Sequence, residues 1–536
     1  MTSVLVIGGY GVFGGRLVEL LLRDGHAVTV AGRSAEKARR FAARHGGTPL
    51  ALDRNGDLGV IADHDVVVDA TGPFDARASG AYRVVEAAIA GRTHYLDLSD
   101  DADFTAGIAG FDDAARAAGV SVLSGVSTVP ALSGAAVAHL SEGLARIDLI
   151  ESAILPGNRA PRGRAVMASI LSQAGAPLSV TRGGRVRTPP GWSHSAPFDL
   201  SPDIRRRAWL IGAPDLTLFP AKFGAHTVLF RAGLELWPLS FGLAVIGWLR
   251  RRGWLRDPVK LLPLLQPMAM LFAPFGQDRG GMVVRVVGQR GGKAVERRWH
   301  LVANGGHGPF VPAIPARTLL RNPGGLVPGA RPCVGDLRLT DAVAAMADRD
   351  IFCATKPERS AYLFDTVRDL DLTQLPAPVR DLHAIADEAS FAGRAEVARG
   401  RGLPGRLAAW LFRFPPAAKD VAVEVHMSRD GDAERWERRF GAHRFLSHLR
   451  VVDGVMTERF GPFTFTIGLH VMQDALHYPV TAGRIGPLRL PRALLPISVA
   501  REYLEDSRAR FDIDLSLPFR LGRVVRYRGW LEPVTR

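Results

Sequence analysis

The first 125 residues alternate between short apolar runs and longer stretches in which apolar positions recur at helical spacing. The apolar runs predict strands at residues 3–7, 26–31, 49–52, 65–69, 94–98 and 120–123. The intervening stretches predict helices at residues 16–23, 35–45, 76–90 and 104–118. Because strands that alternate with helices are joined by right-handed crossovers, the pattern predicts an α/β domain with a doubly wound parallel sheet over residues 1–125.

The pattern changes after residue 125. Two β-rich runs at residues 282–288 and 295–303 flank a polar turn, which predicts a hairpin of an antiparallel sheet. With a further strand at residues 147–154, these runs predict an α+β substrate or dimerisation domain over residues 126–355.

From residue 356 onward, a helix predicted at residues 375–384 is followed by short β-rich runs separated by glycine turns. The runs are residues 421–427, 434–440, 444–452, 455–460, 463–470, 511–517 and 522–527. Strands at such short spacing are typical of an antiparallel sheet or a partly closed barrel. A mainly antiparallel β domain is therefore expected over residues 356–536, with residues 484–496 covering one mouth.

A glycine pattern follows the first predicted strand and precedes the first predicted helix. Gly9 permits a tight turn, Gly11 leaves the backbone bare for a pyrophosphate, and Gly14 lets the helix lie close to the strand. In this context the pattern predicts a Rossmann-type dinucleotide site, with phosphates at the helix N-terminus. The predicted contacts are Gly9, Tyr10, Gly11, Val12, Phe13 and Gly14.

The residues after the second strand bear on the choice of cofactor. An acidic residue there would bind the ribose 2′-hydroxyl of NAD, whereas this chain has Arg33, Ser34 and Lys37. An arginine, a hydroxyl and a lysine suit a 2′-phosphate, which favours NADP. Alternatively, Ser34 only caps the next helix and Arg33 is a solvated charge, and both roles can coexist.

Further cofactor candidates follow the third and fourth strands, because ligands of open α/β sheets bind at the carboxyl ends of the strands. Asp53 could reach the adenine amino group, and Thr71 and Gly72 stand where the chain runs toward the nicotinamide ribose. The alternative is that Asp53 is a turn residue and Gly72 belongs to a simple loop.

Composition narrows the class of protein. The chain has 536 residues, a formal net charge of +15 and only two cysteines, Cys333 and Cys353. The charge reflects either arginine-rich genome composition or attraction to an anionic cofactor, lipid surface or nucleic acid. No nucleic-acid-binding module and no metal-ligand spacing occur, so neither nucleic acid nor metal is expected as a partner. The cysteine usage and the start of the chain predict a cytoplasmic protein without a signal peptide.

The segments VIGGYGVFG, AGRS, VVVDATGPF and HYLDLSDD resemble the saccharopine dehydrogenase-like family with its NADP-binding domain. The resemblance covers about residues 1–350 and is strongest in the first 130. It implies a nicotinamide-dependent oxidoreductase in which Gly9, Gly11, Gly14, Arg33 and Thr71 contact the cofactor. It also places Tyr95 and Asp97 near the reacting end of that cofactor. Ser99-Asp100 stands where the family often has Gly-Glu, and the arginines that hold an amino acid carboxylate have no match here.

The C-terminal part resembles a bacterial domain of unknown function from about residue 375 to 530. The motifs that carry this resemblance are ERFGPF near residue 458 and RYRGWL at residue 526. No chemistry is assigned to them.

Three residues are candidates for proton handling. Two are Tyr95 and Asp97, which the family resemblance places near the nicotinamide. The third is His307, because its glycine-rich surroundings leave it accessible to a substrate. The alternative for His307 is a simple exposed loop histidine.

Two strongly apolar stretches, residues 236–249 and 261–275, flank a basic linker. Neither is long enough to span a membrane, and both contain proline. They could form an interfacial hairpin on an anionic membrane, at the inner face in a cytoplasmic protein. They could also line a pocket for a long apolar substrate, or form ordinary core or a homodimer face.

The sequence therefore predicts an NADP-dependent oxidoreductase acting on a small or lipid-like substrate. One alternative is a non-catalytic NADP-binding redox sensor or membrane tether that uses residues 236–275. Another is a lipid carrier that uses the C-terminal sheet. In that case Trp436, Phe440, Phe445 and Phe465 would line the site rather than only pack in the core.

Overall fold

The computed structural model describes residues 1–161 and 164–534, and three large sheets organise them. The fold class is the predicted one: a parallel Rossmann-type sheet, a mixed sheet with flanking helices, and an antiparallel C-terminal sheet.

The N-terminal segment alternates strands and helices as expected. Its strands are β1 (Ser3–Ile7), β2 (Ala27–Gly32), β3 (Thr48–Ala51), β4 (Val66–Asp69), β5 (His94–Asp97) and β6 (Ser121–Ser124). Its helices are α1 (Val12–Arg23), α2 (Ala35–His45), α3 (Arg83–Ala90), α4 (Ala102–Gly107), α5 (Asp112–Ala118) and α6 (Ser133–Leu140). The helix predicted at residues 76–90 begins only at Arg83, after a turn with Gly80 at φ +68°. The helix predicted at residues 104–118 is divided into α4, a 3₁₀ turn and α5.

The described part of the middle segment, outside residues 162–163, adds ten strands and six helices. The strands are β7 (Arg146–Leu155), β8 (Val180–Arg182), β9 (Arg185–Arg187), β10 (Ala196–Ser201), β11 (Ile204–Leu210), β12 (Thr227–Ala232), β13 (Gly280–Arg290), β14 (Lys293–Ala303), β15 (Gly329–Pro332) and β16 (Ile351–Ser360). The helices are α7 (Arg164–Gln173), α8 (Pro214–Phe223), α9 (Trp237–Arg251), α10 (Leu262–Leu271), α11 (Ile314–Leu320) and α12 (Leu339–Ala344).

The parallel sheet is completed by a strand from this middle segment. Its order is β15-β6-β5-β4-β1-β2-β3, and β15 pairs in parallel with β6. The predicted nucleotide-domain range of residues 1–125 does not contain this strand. The chain also returns to α1, where the fully buried Arg317 of α11 donates to both oxygens of Asp24 at 2.7 Å.

The second sheet has the order β10-β11-β12-β7-β13-β14-β16, and only β12 and β7 pair in parallel. Its longest antiparallel pair is β13 with β14, which is the predicted hairpin. One large apolar core extends from the inner face of this sheet to α1 and α6 of the nucleotide-binding segment.

The apolar stretches at residues 236–249 and 261–275 form α9 and α10. Several of their side chains are exposed, including Trp237 (74%), Phe241 (60%), Leu271 (70%) and Phe275 (72%). Among the described residues, none of the helices combines the length and apolar character needed to cross a bilayer.

Up to residue 534, where the described part of the chain ends, the C-terminal segment contains thirteen strands in one antiparallel sheet. They are β17 (Glu388–Arg399), β18 (Ala418–Asp430), β19 (Ala433–Phe440), β20 (His443–Val452), β21 (Val455–Phe460), β22 (Phe463–Ile467), β23 (His470–Met472), β24 (Ala475–His477), β25 (Val480–Ile485), β26 (Leu488–Arg489), β27 (Ile497–Glu505), β28 (Arg508–Ser516) and β29 (Arg523–Pro533). Two helices flank β17, namely α13 (Ala377–Asp381) and α14 (Leu403–Leu411). The predicted helix at residues 375–384 is thus reduced to the five residues of α13.

This sheet closes on itself. β24 pairs with β27, whereas β25, which follows after two residues, pairs with β22 on the other side. The segment of residues 475–485 therefore joins the two ends of a curled sheet, which we call the cup. The chain before β17 covers one end of the cup, and α14, which follows β17, covers the other.

Candidate nucleotide-binding site

The loop between β1 and α1 contains glycines at which any side chain would force the neighbouring backbone to move. Gly8 has φ +81°, and a Cβ there would lie 2.9 Å from the carbonyl oxygen of Ala70. The Gly8 and Gly9 amides both donate to the carbonyl of Ala31, at 2.8 and 3.0 Å. The left-handed turn is therefore made by Gly8, one residue before the position expected from the pattern, and Gly9 is required for close packing on Val6 and Val30.

The other two motif glycines have different surroundings. A Cβ on Gly14 would lie 2.3 Å from the carbonyl oxygen of Gly8, so this glycine lets α1 pack directly on the loop. Gly11 is exposed and meets only the Gly8 carbonyl oxygen, at 3.0 Å. The backbone at Gly11 is thus bare on its outer side, as a pyrophosphate requires.

Helix α1 begins without a side-chain cap. Its N-cap residue is Gly11, no side chain of a described residue caps it, and its first turn contains no acidic residue. Val12 is exposed and Phe13 half-buried at this end. The backbone N–H groups of the first turn and the positive end of the helix are therefore available to an anion.

Tyr10 connects the glycine loop to the loop after β2. Its ring lies over Gly32, where a Cβ would approach the ring to 2.6 Å. Its hydroxyl accepts a hydrogen bond from the backbone N–H of Ser34 at 3.0 Å. The two loops predicted to hold the pyrophosphate and the 2′-phosphate are therefore fixed to each other by one side chain.

The predicted phosphate residues lie together beyond β2. Arg33 and Lys37 are exposed. Ser34 caps α2 by accepting from the Lys37 N–H at 3.3 Å, which is the structural role expected as one of its alternatives. The nearest acidic residue, Glu36, forms an ion pair with Arg40 on the same helix. The charge at this edge is therefore positive.

The residues after β3 and β4 form one hydrogen-bonded group. Asp53 is exposed, and its carboxylate accepts from the Asn55 N–H at 3.0 Å, so it does hold a turn. Its neighbour Arg54, which sequence reasoning missed, donates to the Thr71 hydroxyl at 3.2 Å. Gly72 is exposed on the outer side of this group.

Two buried carboxyl groups stand side by side at the ends of β4 and β5. Asp69 and Asp97 are partners in the parallel register, and each has one oxygen that forms no hydrogen bond with a described residue. The other oxygen of Asp69 accepts from the Thr71 N–H at 2.9 Å. Burial raises the pKa of Asp69, and the positive charge of Arg54 opposes this rise.

Asp97 ties the surrounding loops together. One of its oxygens accepts from the Ser99 N–H at 2.9 Å, the Ser124 hydroxyl at 3.0 Å and the Gly125 N–H at 2.8 Å. Burial raises its pKa to about 7, although these hydrogen bonds favour the ionised form. A carboxyl group that titrates near neutral pH beside a predicted cofactor edge is a candidate for proton transfer.

Two of the three proton-handling candidates lie together: Tyr95 and Asp97 are two residues apart on β5 and their side chains interact, whereas His307 lies elsewhere. Tyr95 is on the same strand as Asp97, but it is only 1% exposed and packs in the core on one face of the parallel sheet. Burial raises its pKa well above the usual value. His307 instead lies beside α1, where its ring meets the ring of Phe310, and Arg16 of α1 stacks on that same Phe310 ring.

His307 has a defined hydrogen-bonding role. Its Nδ1 accepts from the Asp350 backbone N–H at 3.0 Å, which leaves Nε2 to carry the proton of a neutral ring. His307 is half-buried, so Nε2 is placed to donate a proton at the face of the segment that packs on α1.

Asp215 is a buried acid that sequence reasoning missed. It lies in the first turn of α8, is 1% exposed, and neither of its carboxyl oxygens has a hydrogen-bond partner of good geometry among the described residues. Burial raises its pKa to about 7, and the nearby Ser133 hydroxyl opposes part of that rise. Its sequence context, Ala-Pro-Asp, indicates only a helix start, so no local signal could have revealed the burial.

Comparison with known proteins assigns both ends of the chain. Residues 4–123 match the family model described as the saccharopine dehydrogenase NADP binding domain. The N-terminal domain belongs to that family. Residues 375–531 match the model described as Domain of unknown function (DUF4166), so the cup is a domain of this second family. Both expected resemblances are confirmed.

Solved structures show weaker similarity to this chain. Apo histidine-tagged saccharopine dehydrogenase (L-Glu forming) from Saccharomyces cerevisiae is 17% identical, with coverage of 67% of this chain and 100% of that chain and a TM-score of 0.48. Imine reductase from Bacillus cereus BAG3X2 is 20% identical, with coverage of 23% and 40% and a TM-score of 0.18. No curated protein matches the chain. Similarities at these TM-scores carry no argument about its activity.

Proposed function

We propose that this protein is an NADP(H)-dependent oxidoreductase that acts on a small or lipid-like substrate. The observation that carries the proposal is the bare glycine loop at the uncapped start of α1, joined through Tyr10 to a loop that presents the exposed Arg33. A loop without Cβ atoms and a free helix N-terminus suit a pyrophosphate, and an arginine suits the extra phosphate.

The site residues fit that cofactor in defined roles. Gly11 and the first-turn amides of α1 would hold the pyrophosphate, and Arg33 and Lys37 would hold the 2′-phosphate. Bound NADPH supplies a hydride to the substrate. His307, with its proton on Nε2, is the residue proposed to donate a proton, and Asp97 is proposed to position the loops after β5 and β6.

Binding of NADPH and NADH to the whole chain tests the choice of cofactor. Arg33→Ala should weaken NADPH binding about 10-fold or more and leave NADH binding unchanged, because only NADPH carries the 2′-phosphate. Arg39→Ala is the matched control, because Arg39 is an exposed arginine of α2 and Arg33 lies just before that helix. It should change the binding of neither nucleotide. Calorimetry that shows tighter binding of NADH, or no binding of either nucleotide, would contradict the proposal.

A second candidate function is peripheral membrane contact through residues 236–275. It is supported by the exposed Trp237, Phe241 and Trp254 beside the basic linker of residues 250–256. Replacement of these three residues by serine should abolish flotation with anionic vesicles if the hairpin is a membrane anchor. If the same change instead lowers the mass measured by light scattering without vesicles, the face is a homodimer interface.

A further inference from the structure

The interior of the cup is a mostly apolar cavity that is partly open. Its volume is about 360 Å³, which lies within the range of small-molecule sites. Its lining includes Phe412, Phe440, Phe465, Met456 and Leu515. Trp436 also lines the cavity, whereas Phe445 is 4% exposed and packs in the core of the cup. A cavity lined in this way favours an apolar chain as its occupant.

A small number of polar residues line this cavity. Arg438 donates to the Ser447 hydroxyl at 2.7 Å and to Glu458 at 3.2 Å, so its charge is already balanced. Tyr527 also lines the cavity, and its hydroxyl forms no hydrogen bond with a described residue. Burial raises the pKa of Tyr527 to about 12, so this hydroxyl remains a donor at neutral pH.

A second polar group closes the end of the cup opposite α14. The Tyr478 hydroxyl and His383 Nε2 both lie 2.7 Å from the same oxygen of Glu502. Burial acts to raise the pKa of Glu502, but its interactions with His383 and Tyr478 outweigh burial and keep the pKa low. Among the described residues that line the cavity, two are carboxylates that are each already paired, and none is a spare cation. An uncharged polar head fits these groups better than an anionic head.

The direction of the strands shows where the cavity opens. β17 runs from the end covered by residues 361–387 to the end covered by α14. The turns at residues 441–442 and 461–462, the segment of residues 485–496 and the loop of residues 517–522 all lie at the α14 end. Ala408 of α14, Phe412 directly after that helix, and Leu490 and Leu494 of the long segment line the cavity. These elements therefore form its lid.

The outer face of this lid, which we call the rim, is both apolar and positively charged. Its exposed apolar side chains are Leu403 (78%), Leu407 (65%), Trp410 (74%), Leu411 (54%), Leu488 (73%), Leu494 (51%) and Phe519 (67%). Its exposed arginines are Arg401, Arg406, Arg413, Arg484, Arg489, Arg492 and Arg520. The three segments that form it, residues 400–417, 484–496 and 517–522, contain no Asp or Glu.

We propose that the cup takes up a lipid with a single apolar chain and an uncharged hydrogen-bonding head, and that its rim docks on an anionic membrane for this purpose. The head would lie at Tyr527 and Arg438. The chain would extend between the aromatic side chains toward α14.

The rim itself argues for a membrane as the occupant. Exposed apolar tips interleaved with arginines match the boundary between acyl chains and anionic headgroups. A second copy of the chain would present the same positive charge and be repelled. The proposal does not depend on the oxidoreductase function, since no residue of the nucleotide site contributes to it.

Uptake of a pyrene-labelled long-chain alcohol from vesicles by the full-length protein tests the proposal. Transfer should be at least 10-fold faster from vesicles of equal parts phosphatidylglycerol and phosphatidylcholine than from pure phosphatidylcholine. Arg406→Glu should slow transfer from the anionic vesicles about 10-fold. Arg450→Glu, the same charge change at an exposed residue near the other end of the cup, should not.

The cavity is tested by two variants on one strand. Ala500 is 8% exposed and lines the cavity, whereas Val499 is 66% exposed on the outer face of β27. Ala500→Phe should fill the cavity and abolish probe binding, and Val499→Phe should not. NADPH binding measured on the same samples shows whether the nucleotide domain remains folded.

Tyr527→Phe tests the head group without altering packing. It should weaken binding of the labelled alcohol up to about 10-fold and leave binding of a pyrene-labelled alkane unchanged. The proposal is overturned if full-length protein binds neither probe, if Ala500→Phe and Val499→Phe bind equally, or if transfer is independent of vesicle charge. Any of these results combined with normal NADPH binding would leave the oxidoreductase proposal intact.

Discussion

The nucleotide-binding domain and the cup are built in opposite ways. The parallel sheet is open, presents its candidate site at a polar edge, and needs a strand and a helix from residues 314–332 to be complete. The cup is antiparallel and closes on itself within one continuous stretch of chain. Its candidate site is an interior cavity. The open sheet therefore depends on distant parts of the chain for its stability, whereas its ligand site is formed by residues close in sequence. The closed sheet is formed by one continuous stretch of chain, whereas its cavity needs residues from strands that are far apart in that stretch.

The largest expected effect tests the dependence of the open sheet on the returning chain. Arg317 is 1% exposed and pairs with Asp24 and Asp348. Arg317→Met should destabilise the nucleotide-binding domain by about 3 kcal/mol, because it leaves buried charge with less compensation. Hydrogen exchange should accelerate in α1 and remain unchanged in the strands of the cup.

The matched control for this variant is on the outer surface of the cup. Arg528 and Glu396 form an ion pair whose side chains are 57% and 46% exposed. Arg528→Met should cost less than about 1 kcal/mol, because exposed pairs contribute little. Equal losses of stability in Arg317→Met and Arg528→Met would contradict the interpretation that residues 314–332 stabilise the open sheet.

The second effect tests the local character of the nucleotide site. Gly14→Ala adds a Cβ 2.3 Å from the Gly8 carbonyl oxygen, which must displace the loop from α1. NADPH affinity should fall about 100-fold, or about 2.7 kcal/mol, while probe binding in the cup is unchanged. Gly110→Ala is the control, because its Cβ would meet open space. Unaltered calorimetric affinity in Gly14→Ala would contradict the proposed position of the pyrophosphate.

The smallest expected effect is the pH dependence of stability that the buried carboxyl group of Asp215 causes. The folded-state pKa of Asp215 is raised to about 7, so the folded protein binds a proton that the unfolded chain releases near pH 4. This contribution is present at low pH and is lost as pH rises from about 4 to 7. Between pH 5 and 7 the loss amounts to less than about 2.7 kcal/mol, because each pH unit contributes at most about 1.4 kcal/mol and water that reaches the group reduces this further.

The stability of Asp215→Asn relative to the original protein should therefore increase as pH rises from 5 to 8. The measurement is the difference between the two proteins in the Tm of the unfolding transition that includes α8. Asp474→Asn, at an exposed residue of the cup, should show no such pH-dependent difference. Parallel Tm curves for Asp215→Asn and the original protein would show that the carboxyl group is not protonated in the fold.

The sequence predicted a large part of the nucleotide site because that site is made of short-range features. Strand β1, the glycine loop and α1 are consecutive, and Arg33 and Ser34 follow the next strand directly. The fine assignment of roles still needed the structure. The turn is made by Gly8 rather than Gly9, because only the position of the Ala70 carbonyl decides which glycine has no room for a Cβ.

Features that depend on distant segments could not be predicted in the same way. Nothing near residues 329–332 indicates that they join β6, and nothing near Asp215 indicates that α4 and the turn before α6 cover it. The hydrophobic pattern did not predict β17 and β27 as strands, although both belong to the sheet that forms the cup. Hydrophobic periodicity reports which face of an element is buried, but it carries no information on the partner that buries it.

By itself, the sequence determined the Rossmann-type start, the glycine loop and the positive charge beyond β2, because backbone geometry and charge are fixed by consecutive residues. Only the tertiary structure decided which strand completes the open sheet, which acids are buried and that the C-terminal sheet closes around a cavity. Those outcomes are set by the pairing of segments that are tens to hundreds of residues apart, and such pairing is chosen by the packing of the whole chain.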